Sequence, residues 1–187
     1  MGARTLFSRE EMLELNIKTL KERTVTVAEI AEVAYRQQAK WSSEVSMKEA
    51  IESVEKILSL RDTFHLLQLG AEIDRLTDTK MIQGPIYDIL KSDLGMFGID
   101  ELFGLELAGL YGTIGKTNFG DIDVNKPLVV SRLNDVGKDG GGMCHTFMDD
   151  IVGAIAAAAS TRIAQIINED EARKDPHVKA IKLDLDL

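Results

Sequence analysis

Asp149 and Asp150 stand side by side at the head of the segment His145-Thr-Phe-Met-Asp149-Asp150-Ile-Val-Gly153-Ala-Ile-Ala-Ala-Ala-Ala-Ser160. The residues that follow are almost all small, which lets neighbouring helices approach closely, so a buried helix is expected with its first turn facing a packed interior. Two adjacent carboxylates in such a place repel each other and are costly unless a cation, a basic partner or an open cleft meets them. The same acids also suit a helix start. Thr146 lies three residues before Asp149, as in a capping box, and first-turn carboxylates meet the positive end of the helix dipole. The two roles are compatible.

Other acids and one lysine gather in the same half of the chain: Asp100-Glu101, then Asp123 followed by Lys126-Pro127. Oxygen-only ligands of this kind suit a hard ion, and Mg²⁺ is the metal expected, whereas no His/Cys spacing here fits zinc. If Asp100-Glu101 and Asp149-Asp150 converge, like charges about 5 Å apart cost roughly 3 kcal/mol per pair at an effective dielectric near 20. A divalent ion reverses that sign. If they do not converge, the acids are separate solvent-facing turns.

Composition narrows the alternatives. A net charge of −9 argues against general nucleic-acid binding and against simple adhesion to anionic membranes, and 44% apolar residues exclude a disordered chain. Gly115-Lys116-Thr117 ends like a phosphate-binding loop, but position 110 is Leu where that motif requires Gly. Cys144 is the only cysteine, so no internal disulfide is available and a reducing compartment is expected. Its neighbour His145 does not make a nucleophile pair, since such partners meet from distant positions. The first residues are too polar for a signal peptide, and the apolar run Ile151 to Ser160 falls short of the roughly 20 residues a membrane span needs. A soluble, cytoplasmic protein is expected.

The elements that must position these residues read as helices, giving one all-α domain over 1–187. Ser8 with Glu11, Thr26 with Glu29 and Ser46 with Glu49 match the Ser/Thr-x-x-Glu capping box. The helical rhythm then places Met47, Ala50, Ile51, Val54, Ile57 and Leu58 on one buried face, and Leu66, Leu69, Ile73 and Leu76 on the next. Pro85 suits the first turn of a short helix through Leu90. A further helix is expected from Ile99 to Tyr111, with Gly104 and Gly109 permitting close packing against the Ala-rich helix. Gly112 to Pro127 reads as an irregular loop, Leu128 to Asn134 as a short helix, and Val136 to Met143 as a glycine loop. Residues 168–187 read as a flexible tail, within which Lys179 to Leu187 alternates like an edge strand or a disordered end.

Taken in order, Ile-Asp100-Glu101-Leu-Phe-Gly104, Phe119-Gly-Asp-Ile-Asp123-Val-Asn-Lys126-Pro127 and Gly140-Gly-Gly-Met-Cys-His-Thr-Phe-Met-Asp149-Asp150-Ile-Val-Gly153 resemble the phosphatidylglycerophosphatase A family. The likeness is closest to its soluble Gram-positive branch, the low temperature requirement C-like proteins, and the motif-bearing part runs from about 99 to 167. The resemblance implies an all-helical fold with one central helix surrounded by others. It also implies a Mg²⁺-dependent phosphatase that removes the terminal phosphate of phosphatidylglycerophosphate.

On that footing Asp100, Glu101, Asp149 and Asp150 are the expected metal ligands, and Asp123, Lys126 and Asp150 the expected catalytic residues. His145 and Thr146 are candidate contacts for a substrate oxygen, though a loop histidine and an N-cap explain them as well. The expected partner is a phospholipid phosphate, met by peripheral contact at the inner face of a membrane, and the amphipathic N-terminal helices can supply an interface for a homo-oligomer. This chain has Leu128-Val129 where the membrane-embedded enzymes carry Trp-Pro after Lys-Pro, and it lacks their spans. Two alternatives follow: a helical binding or regulatory protein that keeps the ion without catalysis, and a phosphatase of soluble phosphomonoesters.

Overall fold

The computed structural model describes residues 6–93, 98–135 and 142–174. Among these, every regular element is a helix: α1 (Arg9–Glu22), α2 (Val27–Ala39), α3 (Met47–Leu58), α4 (Arg61–Asp78), α5 (Pro85–Ser92), α6 (Ile99–Gly109), α7 (Gly112–Asn125), α8 (Val129–Asp135) and α9 (Met148–Lys174). The three capping boxes form as their sequence requires. At the first, Ser8 N–H donates to Glu11 at 2.7 Å and Glu11 N–H donates back to Ser8 Oγ at 3.2 Å. Thr26/Glu29 and Ser46/Glu49 repeat the arrangement at α2 and α3.

The Ala-rich helix α9 is the axis of the fold. Met148 to Thr161 and Ile163 are buried, and α2, α3, α4, α6, α7 and α8 all pack on this one helix. Small residues make that crowding possible, because a thin side-chain layer lets a neighbour's larger residues reach the axis, as Phe119 and Ile122 do at Gly153. By length and composition α9 is long and apolar enough to cross a membrane, contrary to the expectation from its uninterrupted apolar run, but most of its apolar stretch is buried among its own neighbours.

Three expectations are corrected. Residues 112–125 form helix α7 rather than a loop, despite three glycines. Packing overrides propensity here: Phe119 fills the notch that Gly104 leaves on α6, Gly115 sits against the carbonyl of Ala108, and Ile122 lies over Gly153 of α9. The same contacts show that Gly104 and Gly109 admit α7, with Gly109 covered by Lys116, rather than α9. On α4 the buried stripe is Thr63, Leu67, Gly70, Ala71, Asp74 and Thr77, while Leu69 is exposed and Leu66, Ile73 and Leu76 lie at the margin. The expected tail strand lies outside the described residues, as does most of the expected glycine loop. Residues 168–174 continue α9.

Candidate functional site

Three helix ends converge on the first turn of α9. α5 ends at Asp93, α6 begins beside Asp100 and Glu101, α7 ends at Lys126 just after Asp123, and α9 opens with Asp149 and Asp150. With Asn134 of α8 these residues line a cavity of about 260 Å³. Two roomier clefts, of about 580 Å³ beside α1 and α4 and about 440 Å³ beside Trp41, gather no comparable set of acids. Asp93 and Lys126 both adopt left-handed backbone, with φ of 44° and 40°. Such conformations are unfavourable for non-glycine residues and are held here by the helix ends that they terminate.

Lys126 is the cation at the centre. Its Nζ lies 2.6 Å from Asp123 Oδ1, 3.0 Å from Asp149 Oδ2 and 3.3 Å from Asp150 Oδ1. Burial opposes its charge, but Asp149, Asp123 and Asp150 outweigh that and hold the ammonium well above its usual value. Asp100, Glu101 and Asp150 form a second subset, each offering a carboxylate oxygen within 4.8 Å of the others. Glu101 Oε2 is buried and has no hydrogen-bond donor.

The cavity thus sets six carboxylates, of Asp93, Asp100, Glu101, Asp123, Asp149 and Asp150, against one lysine. Its electrostatics follow. Burial, then Asp149, push the Asp150 carboxyl upward; burial, then Glu101, do the same for Asp100. Burial also raises Asp149, with Lys126 opposing. A hard divalent cation fits this donor set: it would give the orphaned Glu101 oxygen a partner and relieve the repulsion between the acids.

The structure therefore brings Asp100, Glu101, Asp123, Lys126, Asp149 and Asp150 into one cavity. His145 and Thr146 are not among its lining residues. Thr146 Oγ1 donates to the carbonyl of Leu90 at 2.7 Å, so it does not cap α9 as its spacing suggested. The capping acceptor is Asp74 of α4, whose carboxylate receives the amides of Phe147 at 3.2 Å and Met148 at 3.1 Å. His145 is buried with Nδ1 unpartnered, and burial, reinforced by Arg23, lowers its pKa to about 4.

Around that segment Arg23 pairs with Asp78 at 2.9 Å and also donates to the carbonyl of Cys144, whose own amide donates to Asp78 at 2.7 Å. Burial and the nearby Asp74 push the Cys144 thiol up, which keeps it protonated and unreactive. Sequence reasoning missed Asp74, Asp93 and Asn134. For Asp74 the available signal was the stripe Thr63, Leu67, Gly70, Asp74, Thr77, whose helical spacing is as regular as that of the leucines.

Fold and cavity together define an all-helical protein with an acidic, lysine-centred site at the N-terminal end of its central helix. The chain belongs to the phosphatidylglycerophosphatase A family, a family of phosphatases, whose model matches residues 20–165. It is 40% identical over 145 residues to the uncharacterized protein YutG of Bacillus subtilis, covering 78% of this chain and 86% of that one. To YpjQ of the same organism, also uncharacterized, it is 34% identical over 172 residues, or 90% and 95% of the two chains. Among solved structures, the low temperature requirement C protein of Listeria monocytogenes is similar with a TM-score of 0.79 at 34% identity, over 84% of this chain and 97% of that one. A Bacillus stearothermophilus protein of unknown function gives 0.78 at 40% identity, over 83% and 94%.

Proposed function

We propose that the protein is a Mg²⁺-dependent phosphatase that removes the terminal phosphate of phosphatidylglycerophosphate. Family membership supports the phosphatase class, and one observation carries the metal: three carboxylates within ligand distance of one another, one of them with a buried oxygen that no protein donor meets. Asp100, Glu101 and Asp150 would hold the ion, with Asp149 adjoining. When bound, it supplies Lewis-acid polarisation of the phosphoryl oxygens and offsets their charge.

The chain's own contribution is positioning and electrostatics, which dominate phosphoryl transfer. Lys126 presents an ammonium at the wall of the cavity, kept charged by its three carboxylates, where it neutralises charge developing on the phosphoryl group. Asp123 orients that ammonium at 2.6 Å. The left-handed backbone at Lys126 turns the chain sharply out of α7 toward α8, carrying the lysine to the head of α9.

Phosphate release separates this reading from its rivals. Wild type is expected to release phosphate from phosphatidylglycerophosphate in mixed micelles with Mg²⁺ and to stop when EDTA is added. Turnover of soluble phosphomonoesters alone would replace the lipid substrate. No turnover of either class would leave a binding protein.

A further inference from the structure

Asp74 is fully buried on α4, yet its carboxylate is engaged on every side by the chain that leads into α9. Phe147 N–H is shared between Oδ1 at 3.2 Å and Oδ2 at 3.3 Å; Oδ1 also accepts the Cys144 thiol at 3.5 Å and Oδ2 the Met148 N–H at 3.1 Å. A helix start leaves amides without intrahelical acceptors, and a Ser, Thr or Asp at the cap position usually serves them locally. Here the acceptor comes from another helix. Met148 is the first residue of α9, and the next two are Asp149 and Asp150.

Two further bonds extend the anchorage. Asp78, one turn after Asp74, receives the Cys144 amide, and Thr146 Oγ1 donates to the carbonyl of Leu90, three residues before Asp93 of the cavity. Helices α4, α5 and α9 are thereby joined at the point where the cavity's acids emerge. A local cap would have secured the start of α9 without fixing its place relative to the other helices.

We infer that Asp74 is a positioning residue for the acidic, lysine-centred site, setting where Asp149 and Asp150 stand relative to Asp93, Asp100 and Glu101. The inference rests on the proposed metal-dependent reading of that site. Asn is nearly isosteric with Asp, but its NH₂ falls either 3.1 Å from the Met148 nitrogen or 3.2 Å from the Phe147 nitrogen, and in the second orientation one oxygen is left to serve both amides, so the α9 start loses an acceptor and gains a facing donor. Outer partners that orient metal ligands typically cost 10- to 100-fold in affinity when removed.

The test uses the full chain and Mn²⁺ binding followed by electron paramagnetic resonance, for wild type, Asp74→Asn and Val54→Ala. Val54 is buried in α3, which contributes nothing to the cavity, and provides a control for general destabilisation. Asp74→Asn is expected to lose about tenfold or more in Mn²⁺ affinity, with kcat reduced and partly restored by excess Mn²⁺, whereas Val54→Ala loses thermal stability and keeps its affinity. Wild-type affinity in Asp74→Asn, or an equal loss in Val54→Ala, overturns the inference.

Amide hydrogen exchange provides a readout independent of metal. In wild type the Phe147 and Met148 amides are expected to be as protected as those in the middle of α9, and rapid exchange there overturns the inference even if the variant does not fold. If wild type binds no Mn²⁺, the metal reading falls by itself. The Asp149 and Ile151 amides of Asp74→Asn then decide positioning: faster exchange supports it and unchanged exchange overturns it.

Discussion

Two buried polar clusters flank the first turn of α9, and they differ in how their charges are matched. On one side Asp74 and Asp78 are matched by Arg23, by Lys91 and by the amides of the approach to α9, so that only Arg23 Nε and His145 Nδ1 are left without partners and no charge is in large surplus. On the other, six carboxylates share a cavity with one lysine, and a buried oxygen of Glu101 has no donor. A buried polar group that finds its partners within the chain contributes to the scaffold. A surplus of one charge, held in place at a folding cost, calls for something from outside. The contrast assigns structure to the first cluster and chemistry to the second, and it can be broken from either side.

The largest effect is expected at Asp150. Asp150→Asn removes one candidate ligand and should lower phosphate release by roughly 10³-fold, about 4 kcal/mol of transition-state stabilisation. In the metal-free protein the same change relieves repulsion, so its melting temperature should hold or rise. Mg²⁺ should stabilise wild type by about 2.7 kcal/mol at a hundredfold excess over Kd, which at 2–4 °C per kcal/mol is roughly 5–10 °C for a chain of this size. The variant should show much less of that shift. Calorimetry with and without Mg²⁺ checks both statements, and a marked loss of metal-free stability would show that the cavity, too, is scaffold.

The opposite pattern is expected at Arg23. Arg23→Met removes the partner of Asp78 and the donor to the Cys144 carbonyl, where the arginine side chain is only 6% exposed. Asp78 then keeps only the Cys144 amide and Lys91 at 3.9 Å, and the Cys144 carbonyl loses its donor, which should cost about 3 kcal/mol of stability, read as a lower denaturation midpoint in urea. If the variant kept its stability while losing activity, Arg23 would belong to the chemistry and the division between the clusters would fail.

The two clusters also differed in legibility. Asp100, Glu101, Asp123, Lys126, Asp149 and Asp150 could be picked out because paired acids beside a buried-helix pattern already need an explanation and because their order resembles a known family. The closed cluster gave no such sign. Asp74 is one of four acids on an amphipathic helix, and an acid there ordinarily faces solvent; that it is buried depends on amides supplied from 73 and 74 residues along the chain. Asp93 sits at a helix end whose convergence with the others is a tertiary fact. Helix α7 was hidden for a related reason, since Gly112, Gly115 and Gly120 weaken any local preference and only the fit of Phe119 against Gly104 and of Ile122 against Gly153 explains the helix. The capping boxes and the Ala-rich axis were legible because their signals are local and act within one or two turns.

The smallest of these effects concerns pH and isolates one residue of the closed cluster. His145 is 5% exposed, and burial with Arg23 nearby lowers its pKa from 6.5 to about 4. Its neutral form is therefore favoured by the fold. Stability from this group is fully present above the unfolded value of 6.5, declines as pH falls below it, and is lost through about 4. Between pH 7 and pH 5 the loss should be about 2 kcal/mol, at 1.36 kcal/mol per unit below the unfolded pKa. Asn at position 145 does not titrate, so His145→Asn should lose this destabilisation between pH 7 and 5 in urea unfolding without Mg²⁺ and keep only the slope of the buried acids. Asp74 of the same cluster and the acids of the open cavity have the opposite sign: their carboxyls are pushed up, so acidification relieves them. If the loss of stability between pH 7 and 5 survives in His145→Asn, the acid sensitivity of the fold lies elsewhere than in His145.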